Sequence, residues 1–526
     1  MFGRAYFLRQ AAFPWGFLCC QSLRKSLSLL WAASYRGNDP SESGAMSIVF
    51  DNTYARDLPG THLALAPDVA PDPHLVRLNG GLAAALGLDP DDLTQKAATW
   101  FSGAEVPPGA EPIALAYAGH QFGGFSAQLG DGRAHLLGEF LDPVGRRWDI
   151  QLKGSGRTPF SRGGDGKAAL GPMLREYLIS EAMHALGIPT TRSLAVVATG
   201  ETVWRDKGRL PGAVLTRIAA SHIRVGTFQF FAARRETEKL HALMDYTISR
   251  HFPDLAGSET PALALFDAVA ARQSRLIAQW MGVGFVHGVM NTDNMALSGE
   301  TIDYGPCAFM EAYAPGTVFS SIDHQGRYAY ANQPLILAWN LMQLAQSLLP
   351  FIDADPDRAV DLANARLDGI AAMYRADWVA VMRLKLGLDG KHPDDGDLAD
   401  GFLAAMAGQN ADWTLCFRRL ATAVAGDDGQ LAPLFADPTV LRAWLPRWRA
   451  RLHVNAATRL KSANPVIIPR NHLVEAALDE ANLGNMAPFA VLLTAVSDPF
   501  RDETGREAYA LPAPTGFGAY VTFCGT

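Results

Sequence analysis

Residues 287–305 read H-G-V-M-N-T-D-N-M-A-L-S-G-E-T-I-D-Y-G, and the rest of the chain can be read outward from them. An apolar run at helical spacing (Leu276, Ile277, Trp280, Met281) precedes the stretch and ends at Gly282 and Gly284. Residues 295–297 and 301–302 have the pattern of two very short strands around a Ser298-Gly299-Glu300 turn. Such a hairpin would return Asn294 and Asp303 to the same place. A carboxylate and an amide oxygen meeting there suit Mg²⁺, a hard cation that takes oxygen ligands, or Mn²⁺ in its stead. Asp293, beside them, is left to act as a base.

Composition narrows what such a site serves. A chain of 526 residues predicts about three domains or one large two-lobed enzyme. Hydrophobic content of 48% and charged content of 19% describe a globular protein with ample core. A net charge of −7 argues against a nucleic-acid partner, which needs a basic face. No apolar run reaches the ~18 residues of a membrane span, so no membrane partner is expected. The five cysteines are scattered without zinc spacing, which predicts a reducing, cytoplasmic compartment. Cys524, near the end in F-C-G-T, is either an exposed reactive thiol or a passive tail residue, and exposure decides between them. Residues 1–46 read as a leader. Five basic and no acidic residues in positions 1–38 fit a disordered start-site extension, with a targeting peptide as the alternative.

Residues 46–110 mix short helical patterns with Pro-rich connections and are expected to wrap the fold without chemistry of their own. From Tyr117 glycine becomes dense: G-H-Q-F-G-G at 119–124, then G-D-G-R at 130–133. Alternating segments at 134–140 and 148–152 follow, the second leading to Lys153. Glycines between strands let backbone N–H groups approach a polyphosphate, although neither a Walker loop nor a dinucleotide fingerprint is present. A polar loop with Arg162, Asp165, Gly166 and Lys167 leads to a helix predicted from Pro172 to Leu186, bearing Glu176. Lys153 and Glu176 are either a paired lysine and helix glutamate or two separate surface charges. Strands are predicted at 194–197 and 213–216. Arg217 and Arg224 beyond them either fork onto phosphate oxygens or form a solvated basic edge. From Glu236 the pattern is helical almost throughout, with a core helix at 335–349 ended by Pro350. Trp378, Met382, Leu384, Phe402, Trp413, Leu441, Trp444 and Trp448 are expected to pack. The fold class is therefore α+β in two lobes, a smaller β-rich lobe over 47–240 and a large, mainly helical lobe over 241–526.

The opening stretch resembles a kinase-type catalytic loop followed by a D-Y-G form of the metal-binding D-F-G. More of the chain resembles the selenoprotein O (SelO) family: G-H-Q-F-G (119–123), L-G-D-G-R (129–133), L-K-G-S-G-R-T-P-F-S-R (152–162), G-I-P-T-T-R (187–192), H-G-V-M-N-T-D-N-M (287–295), D-Y-G-P (303–306) and D-H-Q-G-R-Y (323–328). This likeness runs from about residue 47 to the C-terminus. It implies a protein-kinase-like fold, with ATP flipped so that AMP rather than phosphate passes to a protein hydroxyl. Carried over by motif, Gly130, Gly132, Arg133, Lys153, Asp165 and Gly166 would line the phosphates, with Arg217 and Arg224 as a second clamp. Glu176 would orient Lys153, Asp293 would take the proton, and Asn294 and Asp303 would hold the metal. Some members end in selenocysteine, where this chain has Cys524. Some place a partner cysteine shortly before D-H-Q-G-R-Y, where this chain has Phe319, so a disulfide to Cys524 is not expected.

Metal, base and cations serve transfer from either the α or the γ phosphorus. One residue leans toward the α position. A protein kinase carries its base two residues after the loop histidine, where this chain has Val289, and Asp293 takes that role. A monomeric protein adenylyltransferase using ATP and protein Ser, Thr or Tyr hydroxyls is the expectation. An ordinary phosphotransferase and a non-catalytic nucleotide-binding scaffold are the alternatives.

Overall fold

The computed structural model describes residues 48–205, 208–502 and 504–522. The leader and Cys524 lie outside the described residues. Among the described residues, ten strands precede residues 287–305: β1 His62–Ala64, β2 His74–Leu78, β3 Ile113–Leu115, β4 Gly119–Gln121, β5 Gly124–Ser126, β6 Ala134–Leu141, β7 Arg147–Lys153, β8 Ala168–Ala169, β9 Arg192–Arg205 and β10 Gly208–Ala219. Eight of them form one antiparallel sheet in the order β1-β3-β6-β7-β10-β9-β2, with β8 on β10. Strands β4 and β5 form a separate hairpin. The segment 46–110, expected only to wrap, supplies both edge strands of the large sheet. Its strands are short and follow loop residues closely, so their two-residue period carries little signal.

Side chains alternate across this sheet as a two-residue period requires. Leu137, Ile150, Val197 and Val214 face helices Gly80–Ala85 and Pro90–Trp100 through Leu82, Leu93 and Trp100. Leu136, Val196 and Leu215 face the other way, onto Leu174 and Leu178 of helix Leu170–Ala185. That helix carries Pro172 in its first turn, where a missing N–H costs nothing, and closes at Gly187 with φ 77°. Register pairs Leu215 with Lys153 and Arg217 with Gln151, so these polar residues stand on the same face as the helix bearing Glu176.

The remainder is mainly helical. Helix Thr237–His251 spans the position at which the sequence reading divides the two parts. Helix Pro261–Val283 ends on Gly284 in the left-handed conformation and turns into β11, Phe285–Val286. The core helix runs from Gln333 to Ile352 and passes through Pro350 rather than ending there, because Ile352 and Phe351 pack into the core beyond it. By length and hydropathy the segment Tyr330–Ile352 could cross a membrane; more than half of it is buried in the fold. Its polar Gln333 and Asn340 donate to the carbonyls of Phe285 and Met290 at 2.9 and 3.0 Å. Trp378, Met382, Phe402, Trp413, Leu441, Trp444 and Trp448 are buried as expected; Leu384, 65% exposed, is not.

Candidate functional site

The stretch 287–305 is closed at its base by a two-stranded antiparallel pair, β11 with β12 (Ala308–Phe309), in register Phe285↔Phe309 and Val286↔Ala308. The predicted internal hairpin of 295–302 does not form. Its backbone pairs outward instead: Val225 N donates to Met295 O at 3.0 Å and Leu297 N to Ile223 O at 2.9 Å. Thr301 N donates to Pro189 O at 2.9 Å, and Thr191 N to Thr301 O at 3.0 Å. Residues 295–302 thus fasten to the strand-to-helix connection after β10 and to the loop before β9. Both ends of residues 295–302 are thereby tied to the connections that flank β9 and β10.

His287 is buried, stacked on Trp280 and donating through Nε2 to Ile302 O at 2.9 Å. Burial lowers its pKa, so the ring is neutral. Thr292 to Asn294 form one turn of 3₁₀ helix that aims Asp293 into a cleft of about 490 Å³. Asp303 follows with φ 62°, a left-handed backbone uncommon outside glycine. Phe122 (φ 51°) and Arg162 (φ 50°), which line the same cleft, share that conformation. Strain of this kind gathers where side chains must be aimed at a site.

Asp303 is the electrostatic centre. Its Oδ1 accepts from Lys153 Nζ at 2.8 Å and Arg217 Nη1 at 2.6 Å, and its Oδ2 from Arg224 Nη1 at 2.6 Å. Burial alone would raise its pKa, but the charges of Lys153, Arg217 and Arg224 outweigh it and hold the carboxylate well below its usual range. Lys153 also donates to Glu176 Oε2 at 2.6 Å, which resolves the question left by the spacing: the pair is buried and bonded. Arg217 reaches Glu176 Oε1 at 3.3 Å and bonds Gln151. Arg224 donates to Asp293 O at 2.7 Å and lies 4.6 Å above the Tyr117 ring. The two arginines are buried and do not form a solvated edge.

Asp293 contrasts with Asp303. Burial raises its carboxyl to about 6, offset only in part by its own backbone N–H, by Arg224 and by a hydrogen bond from Gln121 Nε2 to Oδ2 at 3.2 Å. Its buried Oδ1 accepts no hydrogen bond among the described residues. Two carboxylates of opposite character thus share one cleft, one fixed as an anion by three cations and one poised near neutrality. Asp131 is a third: buried, it is likewise raised to about 6 despite Arg224 and Arg217. It accepts from Gln151 Nε2 at 2.9 Å and Leu115 N at 3.2 Å.

Gly130, Gly132, Arg133, Lys153, Asp165, Gly166, Arg217, Arg224, Asp293, Asn294 and Asp303 all line this cleft. Glu176 does not; it stands one layer behind, on Lys153. Among the described residues, seven cationic side chains, including Arg162, Lys167 and Arg205, face four carboxylates around the wall. This excess suits an anionic, polyphosphate-sized ligand. Gly130 and Gly132 have no room for a side chain, since a Cβ would lie 2.3 Å from the Phe160 ring and 2.8 Å from its carbonyl oxygen.

The sequence profile described as "Protein adenylyltransferase SelO" matches residues 46–497. The chain is 62% identical over 482 residues to a protein nucleotidyltransferase YdiU of Cereibacter sphaeroides strain KD131, covering 91% of this chain and all of that one. Proteins of the same name from Rhizobium johnstonii and Rhizobium meliloti are 56% and 54% identical, over 91% of this chain and 97% and 99% of theirs. The chain belongs to the SelO family.

Membership makes it a nucleotidyltransferase. Five of the seven SelO motifs contribute to one cleft, although more than 170 residues separate Gly130 from Asp303; residues 187–192 and 323–328 do not line it. Sequence reasoning passed over Asp131, Gln151, Gln121 and Asn291. Gln151 was within reach, since it lies two residues before Lys153 on a strand and so shares its face. Asp131 stands inside L-G-D-G-R, between the two glycines that were singled out. Gln121 meets Asp293 only through tertiary structure.

Proposed function

We propose that this SelO-family chain is a protein adenylyltransferase of two-lobed, kinase-like build, moving AMP from ATP to a Ser, Thr or Tyr hydroxyl. The β-rich part would bring Gly130, Gly132, Arg133, Lys153, Asp165 and Gly166 to the phosphates, with Arg217 and Arg224 at the junction with the helical part. Asp293 would accept the hydroxyl proton as the acceptor oxygen bonds the α-phosphorus. The bond from that phosphorus to its bridging oxygen breaks, and pyrophosphate leaves. Cations positioned beforehand around the phosphates stabilise the charge that develops.

Asn294 and Asp303 fit a magnesium or manganese ion. Asn294 donates its Nδ2 to Val289 O at 2.9 Å, which leaves its amide oxygen for a cation beside the Asp303 carboxylate. When bound, such an ion supplies charge neutralisation at the phosphate oxygens, and two protein ligands with phosphate and water oxygens completing the shell is the usual Mg²⁺ arrangement.

The observation that carries the reading is the pairing of Asp293, poised near pH 6 with an unpartnered oxygen, with the cation-held Asp303 in one cleft. ATP labelled separately at the α and γ positions tests it. Label is expected on protein from the α position and none from the γ. Label from γ alone would instead make the chain a phosphotransferase.

A further inference from the structure

The β4–β5 hairpin, outside the large sheet, is keyed residue by residue to the loop that carries Asp293. Phe122 N donates to Asn291 Oδ1 at 3.2 Å and to Tyr328 OH at 3.1 Å. His120 N donates to Thr292 Oγ1 at 2.7 Å, and Gln121 Nε2 to Asp293 Oδ2 at 3.2 Å. Phe122 and Gly123, with φ 51° and 87°, make the tight two-residue turn that matches strand twist. An isolated two-stranded hairpin is marginal in water, so these bonds to residues 291–293 are what hold it in place.

The hairpin meets the cleft through Gln121 and Phe122, and an aromatic side chain is exposed on it. Phe125 is 46% exposed, and Ile322 on the rim is 54% exposed. The His120 ring lies 4.9 Å from Phe125 and 5.0 Å from Trp339, and the Arg327 guanidinium covers Trp339 at 4.7 Å. Residues 119–128 contain no carboxylate, and nearby Asp323 is buried, accepting from the backbone N–H groups of Arg327 and Tyr328. An exposed aromatic beside a cleft is suited to anchor a bound segment. A base must sit within hydrogen-bond reach of the hydroxyl it deprotonates. Gln121 already bonds Asp293 Oδ2, so a side chain delivering a hydroxyl to Asp293 comes within reach of the hairpin.

We propose that the 119–126 hairpin recognises the acceptor, seating an extended protein segment whose hydroxyl residue has an apolar neighbour against Phe125. Gln121 is the positioning residue that couples this seat to Asp293. The inference rests on the adenylyl-transfer reading.

Two threonine peptides, one with leucine and one with glycine beside the threonine, are assayed with α-labelled ATP and the full-length protein. Wild type is expected to favour the leucine peptide through KM. Phe125→Asp is expected to raise KM for that peptide by ~10-fold, a loss of the size a contact hot spot gives, and to erase the preference. Its affinity for a fluorescent ATP analogue should match wild type, as should that of a control, Val454→Asp. Gln121→Leu is expected to lower kcat while leaving the peptide KM and nucleotide affinity in place. Equal KM values for wild type and Phe125→Asp, or a parallel fall in nucleotide affinity, would overturn the proposal while leaving adenylyl transfer standing. No α-label transfer by wild type would remove the underlying reading and the proposal together.

Discussion

Gly119 offers a direct probe of how tightly Asp293, the proposed base, is held. An alanine there would place its Cβ 2.4 Å from Asp293 Oδ1, 2.8 Å from Asp293 Cγ and 2.8 Å from Leu129 Cδ1. Ordinary contact begins at 3.4 Å, so the carboxylate must retreat by about 1 Å. The backbone of Gly119 is not left-handed, so alanine adds no conformational strain. A displacement of that size at a reacting group costs ~10²-fold in rate, equivalent to ~2.7 kcal/mol of barrier. Overpacking should take ~1–3 kcal/mol from stability. Initial rates of α-label transfer at saturating ATP and acceptor measure the effect, alongside nucleotide affinity and thermal unfolding. The expected result is a fall of ~10²-fold in kcat with ATP affinity preserved. A rate within about threefold of wild type in a folded Gly119→Ala protein would refute the claim that Asp293 is the base at the position described, since such a base is not displaced so cheaply.

Further outcomes follow from the same charges. With Asp293 raised to about 6 and, as the proposed base, needed as the anion, kcat/KM should rise with pH through about 6 and level above it; a profile flat down to pH 5 would contradict this. Arg217→Ala would leave Asp303 and Glu176 short of a buried partner, at a cost of ~3–5 kcal/mol in chemical denaturation; a loss under ~1 kcal/mol, the scale of exposed pairs, would mean those carboxylates do not depend on it. Glu300 is half-buried, accepts from Ser298 Oγ at 2.8 Å and Ala220 N at 3.0 Å, and burial raises it to about 7. Its folded pKa lies above the unfolded value, so the stability it contributes is complete below about pH 4.5 and is lost as pH rises through 7. Glu300→Gln should therefore match wild type near pH 4.5 and exceed it by ~2 kcal/mol at pH 8, read from unfolding at both pH values.

Much of the site was legible because local pattern and chemical type coincide there. The alternation that placed strands at 134–140 and 148–152 also put Lys153 at a strand end, and the 3.6-residue period placed Glu176 on the next helix. What escaped was decided by tertiary packing. The 295–302 segment has strand-like residues, yet its backbone partners lie at 189–191 and 223–225, so it pairs outward. Pro350 should stop a helix, but the burial of Ile352 carries the last turn past it. The convergence of Lys153, Arg217 and Arg224 on Asp303 spans 79 to 150 residues of sequence, and no local period reports a contact of that range. The hold of Gln121 on Asp293, 172 residues away, is of the same kind.

On the reading proposed, Asp293 drives transfer of AMP, not phosphate, within this cleft. Mass spectrometry of an acceptor protein incubated with ATP and Mg²⁺ tests it most directly, comparing wild type with Asp293→Asn. The account predicts an adenosine monophosphate adduct on a Ser, Thr or Tyr with wild type, and none with Asp293→Asn, although that variant still binds ATP. A phosphate adduct, or AMP transfer undiminished in Asp293→Asn, would contradict it.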